Sequence, residues 1–219
     1  MSWNPHGWAG HPTSPYGNPG GYIPAGFQPN PQVWYPPTGN AVPSSPPANN
    51  QQRSAKYPSL NPILAEDTTL LRFDLKMKPS LAIMTSVYYS HRPMIVFAKQ
   101  TQKMRLISKS FPWTIDIESL SPVTVEDVWE AMYGALQQPI MESEWGFIVR
   151  DGKKRKEIEG TMKKRLTADP NTDKRALRID YLGETTLFRG MEKDDEFAKA
   201  ALLPGAKSWL ETWVIKLIS

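Results

Sequence analysis

The chain has no cysteine. Disulfides, thiolate metal ligands and thiol nucleophiles are therefore excluded together, and a reducing compartment is the default expectation. Histidine is scarce, with 3 in 219 residues: His6, His11 and His91. Zinc chemistry or a Ser-His-Asp triad has to be built on His91, and no HExxH, GxSxG or similar spacing accompanies it. His91 beside Arg92-Pro93 reads as a turn residue. GxxxxGK[ST] and GxGxxG are absent, so phosphate-cradling glycine loops are not indicated. No stretch reaches the roughly 18 consecutive apolar residues that span a bilayer. The first residues lack the basic and apolar regions of a secretory leader. The expectation is an intracellular protein, cytoplasmic or nuclear, with no membrane, metal or cofactor and no catalytic constellation.

Charge is also missing from one part of the chain. Met1 to Gln52 contains no Asp, Glu, Lys or Arg, and 12 of the 21 prolines and 7 of the 14 glycines lie there. Its aromatics are Trp3, Trp8, Tyr16, Tyr22, Phe27, Trp34 and Tyr35, spread along the segment with only the last two adjacent. Prolines remove donors, glycines raise the ordering cost, and few aliphatics offset it. Residues 1–57 are expected to form a disordered, polyproline-like arm. It is expected to serve as a passive spacer or as a weakly adhesive arm, for self-association or for docking onto a proline-recognition groove. Residues 58–219 are expected to be a single α+β domain.

Within that domain the hydrophobic period changes along the chain. Leu71, Phe73 and Leu75 alternate with Arg72 and Asp74, which predicts a half-buried strand over 69–75. Strands are also predicted over 81–89, 94–98, 104–107, 114–118, 177–182, 185–188 and 212–218. Ile115 and Ile117 share one face of their strand. Thr124, with Asp127 three residues on, is a helix cap. Val125, Val128, Trp129, Met132 and Leu136 then form a helical stripe ended by Pro139. A second helix is predicted from Glu142 towards Leu166, interrupted at Asp151-Gly152. A short third covers 194–202, with Phe197, Ala201 and Leu202 facing in. Strands and helices come in blocks, which predicts a mostly antiparallel sheet packed by two or three helices.

Several short motifs recur together in a known family. They are Asn61-Pro62-Ile63-Leu64, Leu71-Arg72-Phe73-Asp74-Leu75, Pro112-Trp113 with Ile115, and Val123 to Val128. Arg178-Ile179-Asp180-Tyr181-Leu182-Gly183, Phe188-Arg189-Gly190 and Trp213 complete the set. Over Pro58 to Ser219 the chain resembles a domain of unknown function found in many paralogues in mushroom-forming basidiomycetes. Its members often carry Pro-rich, aromatic-rich N-terminal arms. The lysine-rich stretch after Trp145 is longer and more basic than the family's usual second helix. The resemblance implies no reaction, ligand or catalytic residue.

Two groups of charged residues invite a functional reading. Asp116 and Glu118 share a strand face and are plainly read as solvated, with paired-carboxylate chemistry as the minor alternative. Asp74 and Asp180 sit inside apolar segments and need partners if buried; Arg72, Arg178 and Arg189 are the candidates for structural ion pairs. The second group is the basic segment. Between Arg150 and Arg178 there are 11 positive and 5 negative side chains, a net of +6 against +4 for the whole chain. Lys153, Lys154, Arg155, Lys156, Lys163, Lys164 and Arg165 form a candidate patch for an anion or an acidic partner. It also reads as a nuclear import signal or as a solvated helix face. No aromatic platform accompanies it, so base readout is not supported. The combined expectation is a non-enzymatic module that binds a protein partner or itself. A nucleic-acid-associated or nuclear protein using 150–178 is the alternative.

Overall fold

A computed structural model describes residues 53–148, 151–201 and 211–219. The expected arm lies almost wholly outside the described residues, and with it His6 and His11. Among the described residues the fold is α+β. Four strands run β1 (Lys103–Ser108), β2 (Ile115–Glu118), β3 (Leu187–Glu192) and β4 (Thr212–Ile218). They form one sheet in the order β2-β1-β4-β3. β2 on β1 and β3 on β4 are antiparallel, whereas β1 on β4 is parallel. The sheet is thus mixed, with most pairings antiparallel.

Burial follows position in this sheet. On the edge strand β2, Ile115 and Ile117 face in and Asp116 and Glu118 face out. β1 lies between two strands and is buried over five successive residues, so its sequence does not need to alternate. The main core is aromatic at its centre. Trp129 and Phe188 flank Phe73 at 6.3 and 5.4 Å between ring centroids, and Tyr88 stacks on Trp129 at 5.9 Å.

Among the described residues there are seven helical segments: α1 (Pro79–Ala82), α2 (Thr85–His91), α3 (Val125–Leu136), α4 (Glu142–Ile148), α5 (Gly152–Ala168), α6 (Arg178–Tyr181) and α7 (Asp195–Ala201). α3 is the helix its sequence predicts. The Asp127 N–H donates to Thr124 Oγ1 at 3.2 Å and the Thr124 N–H donates to Asp127 Oδ2 at 2.8 Å, a reciprocal capping box. The break between α4 and α5 also falls where expected. Asp151 caps α5 by accepting the N–H groups of Lys153 and Lys154. Ile140, Ile148 and Ile158 form a small second core there, linked to the main one through Trp113 and Tyr181.

Three predicted strands are corrected. Residues 81–89 belong to α1 and α2. Pro79 occupies the first turn of α1, where its fixed φ favours a helix, and the extended residue Ile83 separates the two short helices. Residues 177–182 hold α6 (Arg178–Tyr181) and its two caps, because Asp180 accepts the Leu177 N–H at 2.8 Å and closes a turn. Residues 94–98 make only isolated bridges, Ile95 to Thr124 and Phe97 to Leu60. The 69–75 segment alternates as predicted, with Leu71, Phe73 and Leu75 buried. It forms only an isolated bridge beside the start of β3, Asp74 to Leu187: the Phe188 N–H donates to Phe73 O and the Leu75 N–H to Thr186 O, each at 3.0 Å. In α7 no residue is buried; Phe197 is half-buried and Ala201 exposed, while Leu202 lies outside the described residues.

Candidate functional site

A cleft of about 830 Å³ opens where the α1 end of the chain faces α3, α5 and α6. Its apolar lining includes Met77, Leu81, Tyr133, Leu177 and Ile179, and Lys76, Lys78 and Lys164 contribute cations. Leu81 is 71% exposed and Met77 48%, with Met84 at 72% just beyond on the same short-helix unit. Exposed apolar side chains gathered beside a cleft and bordered by charge mark a binding surface more often than scattered ones do. Sequence reading missed these residues because it placed 81–89 in a strand. Pro79, a favoured first-turn residue, was the available signal.

One wall of the cleft is held by a buried ion pair. Arg165 Nε and Nη2 donate to Asp180 Oδ1 and Oδ2 at 3.0 and 2.8 Å. The remaining guanidinium donors reach Thr172 Oγ1, Asp173 O and Arg175 O. Asp180 is 1% exposed and also accepts the Leu177 N–H. Two expectations are corrected here. Arg165 is not a solvent-facing member of the basic patch, and the partner of Asp180 is Arg165 rather than Arg178. Arg178 instead donates to Glu144 at 2.6 Å and Gln138 at 2.9 Å, and lies 5.1 Å from the Trp113 ring centroid. Asp74 and Arg72 form no ion pair among the described residues. Asp74 accepts the Lys76 N–H in a turn, Arg72 is exposed, and Arg189 donates to Thr69 O.

The structure divides the rest of the basic segment by partner. Arg155 pairs with Glu159 at 2.8 Å, Lys154 with Glu157 at 3.5 Å and Lys164 with Glu184 at 3.0 Å. Lys154 also sits 4.3 Å over the Tyr181 ring. Arg175 binds Asp173, and these hydrogen bonds from its side chain and backbone hold the Asp173 carboxyl down at about 2. Lys153, Lys156 and Lys163 are exposed and have no ion-pair partner among the described residues.

The carboxylates on the sheet face are occupied. Asp116 lies across from Arg105 and Glu118 across from Lys103, and both pairs form ion pairs, at 2.5 and 3.0 Å. His91 ends α2 with Nδ1 2.9 Å from Val87 O. Among the described residues no group of three or more His, Asp or Glu side chains is arranged to hold a metal ion. No helix among them is long and apolar enough to cross a membrane.

Two further carboxylates make stability depend on acid. Burial pushes Glu66 up, but hydrogen bonds from Lys216 and Lys56 outweigh it and hold the group below the ordinary 4.5. Burial likewise pushes Glu144 up, and hydrogen bonds from Arg178 and the Met141 N–H hold it below 4.5. The unfolded chain therefore protonates these groups first, so their contribution is present above pH ~4.5 and fades as pH falls through the lower folded values. We expect a urea midpoint that is level from about pH 7 to 5 and drops below about 4.5. Glu66→Gln with Glu144→Gln is expected to flatten that drop. An unchanged acid slope in the double variant counts against these two groups as its source.

No curated protein and no solved structure matches the chain. A family model does match, over residues 71–197. That span holds α1 to α6, β1 to β3, the cleft walls, the Arg165–Asp180 pair and the whole basic helix. It includes the Leu71–Leu75, Val123–Val128, Arg178–Gly183 and Phe188–Gly190 motifs, and leaves out Asn61–Leu64 and Trp213. Since it covers more than half of the sequence, the chain belongs to this family of unknown function, DUF6699.

Proposed function

We propose that the chain is a non-enzymatic protein-interaction module that receives apolar side chains of a protein partner in the cleft beside α1. The observation that carries this reading is the exposure of Met77 and Leu81 at an apolar cleft of about 830 Å³. Methionine and leucine on a short-helix unit form an adaptable apolar surface, suited to a partner helix laid into a groove. The titratable groups fit this better than catalysis. Asp116, Glu118, Asp180 and Glu144 are each bound to a cation, and none is poised as a free acid or base.

The test uses the full chain and an amphipathic helical peptide of about 20 residues, with leucines at i, i+3, i+4 and i+7 and no net charge. Saturable binding is expected, read by anisotropy of the labelled peptide. Leu81→Asp with Met77→Asp is expected to weaken it at least tenfold while leaving the melting transition in place, because both residues are exposed. Binding that ignores these substitutions, or no binding at all, overturns the reading.

A further inference from the structure

We infer that the partner segment is acidic as well as amphipathic, and that its carboxylates lie along a lysine stripe on α5 while its apolar side enters the cleft; this rests on the interaction reading above. At about 100° per residue, Lys153, Lys156, Lys163 and Lys164 fall within an arc of roughly 100° on α5, with Gly160 and Thr167 between them. All six are exposed, and the arc points away from the buried Ile158. It contains no acid. Glu157 and Glu159 flank it and pair with Lys154 and Arg155, which lie outside it. From Lys153 to Lys163 the stripe runs about 15 Å, some three turns of a facing helix.

The stripe is continuous with the cleft. Lys156 and Lys164 line a shallower depression of about 450 Å³ that shares Thr161, Lys164 and Glu184 with the cleft. A Cβ at Gly160 would meet nothing within 4 Å, so the middle of the stripe is open to a close approach.

The kind of cation selects the kind of anion. The described arginines of this region, Arg155, Arg165, Arg175 and Arg178, each already bind a carboxylate. Their planar donor forks, which suit phosphates and base edges, are in use. What stays exposed without an ion-pair partner among the described residues is lysine, at 153, 156 and 163, a flexible point charge that accommodates carboxylates at varied positions. The neighbouring surface is apolar and supplies Met77 and Leu81, which suit leucine-like side chains rather than stacked bases. An acidic protein helix satisfies both halves of the surface, and a nucleic acid satisfies only one.

The experiment compares labelled probes on the full chain at about 50 mM and about 500 mM salt, where screening differs strongly. They are the leucine peptide with glutamates on its flanks, the same peptide with glutamine at those positions, and an oligouridylate of about 20 nucleotides. We expect the glutamate peptide to bind about tenfold more tightly than the glutamine one at low salt, and the advantage to shrink at high salt. Lys153→Glu, Lys156→Glu and Lys163→Glu together are expected to remove the advantage and leave the glutamine peptide's affinity unchanged. The milder Lys→Gln triple is expected to do the same to a lesser degree, and both are checked for an unaltered melting curve. Equal affinity for the two peptides, with both lost in Leu81→Asp, overturns the acidic partner and leaves the cleft reading standing. Tighter binding of the oligouridylate than of the glutamate peptide overturns it in favour of a general polyanion surface. Binding of neither peptide overturns both readings.

Discussion

Asp180→Ala is expected to cost about 3–5 kcal/mol, a large share of the roughly 5–15 kcal/mol that holds a domain of this size folded. The carboxylate accepts three hydrogen bonds, two from Arg165 and one from the Leu177 N–H, at a site 1% exposed. Removing it leaves a largely buried guanidinium without its counter-charge and a backbone donor without an acceptor. Arg165→Ala is expected to cost about as much, because it leaves the buried carboxylate unpaired and frees the carbonyls of Asp173 and Arg175. The double variant is expected to cost clearly less than the sum of the two, since the second change removes the charge the first stranded. Arg155→Ala provides the contrast. It breaks an exposed pair at nearly the same distance and is expected to change stability by at most about 0.5 kcal/mol. Urea unfolding of the four variants beside the parent chain measures all of these. If Asp180→Ala proves as mild as Arg155→Ala, the clamp does not hold the cleft wall.

That clamp shows where sequence reasoning stops. Asp180 within an apolar run was recognisable as a carboxylate needing a partner, and Arg178 was the nearest arginine. The turn of α6 closes instead on Asp180, and Arg165, 15 residues earlier at the end of α5, reaches it. That pairing depends on how α5 packs on α6, which spacing along the chain does not encode. β2 and α3 were legible because each buries one face, so period and burial coincide. α1, α2 and α6 were not, because four to seven residues are too few to show a helical period. In such runs Pro79 and Asp180 decide the backbone more than apolarity does. The cleft has walls from four separate elements and no sequence signature. The basic segment was visible as a run of charge, but only the structure separates Lys153, Lys156 and Lys163, without ion-pair partners among the described residues, from the cations already bound to carboxylates.

Gly190→Ala is expected to destabilise the domain by about 2–5 kcal/mol, from two costs that act together. Gly190 lies inside β3 with φ +118°, where a side chain strains the backbone. The ladder to β4 also slips in register between Phe188 and Gly190, so the glycine sits at a bulge. The strand predicted over 185–188 stops short of this glycine, whereas β3 continues through it to Glu192. A Cβ there would lie 2.6 Å from Glu66 Cα and 2.8 Å from Glu66 N. These are backbone atoms, and they cannot swing aside. The Glu66 N–H donates to Met191 O, and the Met191 N–H to Leu64 O, which ties the 64–66 segment to the strand. Gly183 separates the two costs. Its φ is +61° and nothing lies within 4 Å of its Cβ position, so Gly183→Ala is expected to cost only about 1 kcal/mol. Displacing Glu66 would also loosen its bonds to Lys56 and Lys216, so Gly190→Ala is expected to weaken the acid dependence along with the stability. Thermal and urea unfolding of the two alanine variants decide the matter. Equal losses at the two glycines mean that conformation alone matters, and that the 64–66 segment yields to a side chain at position 190.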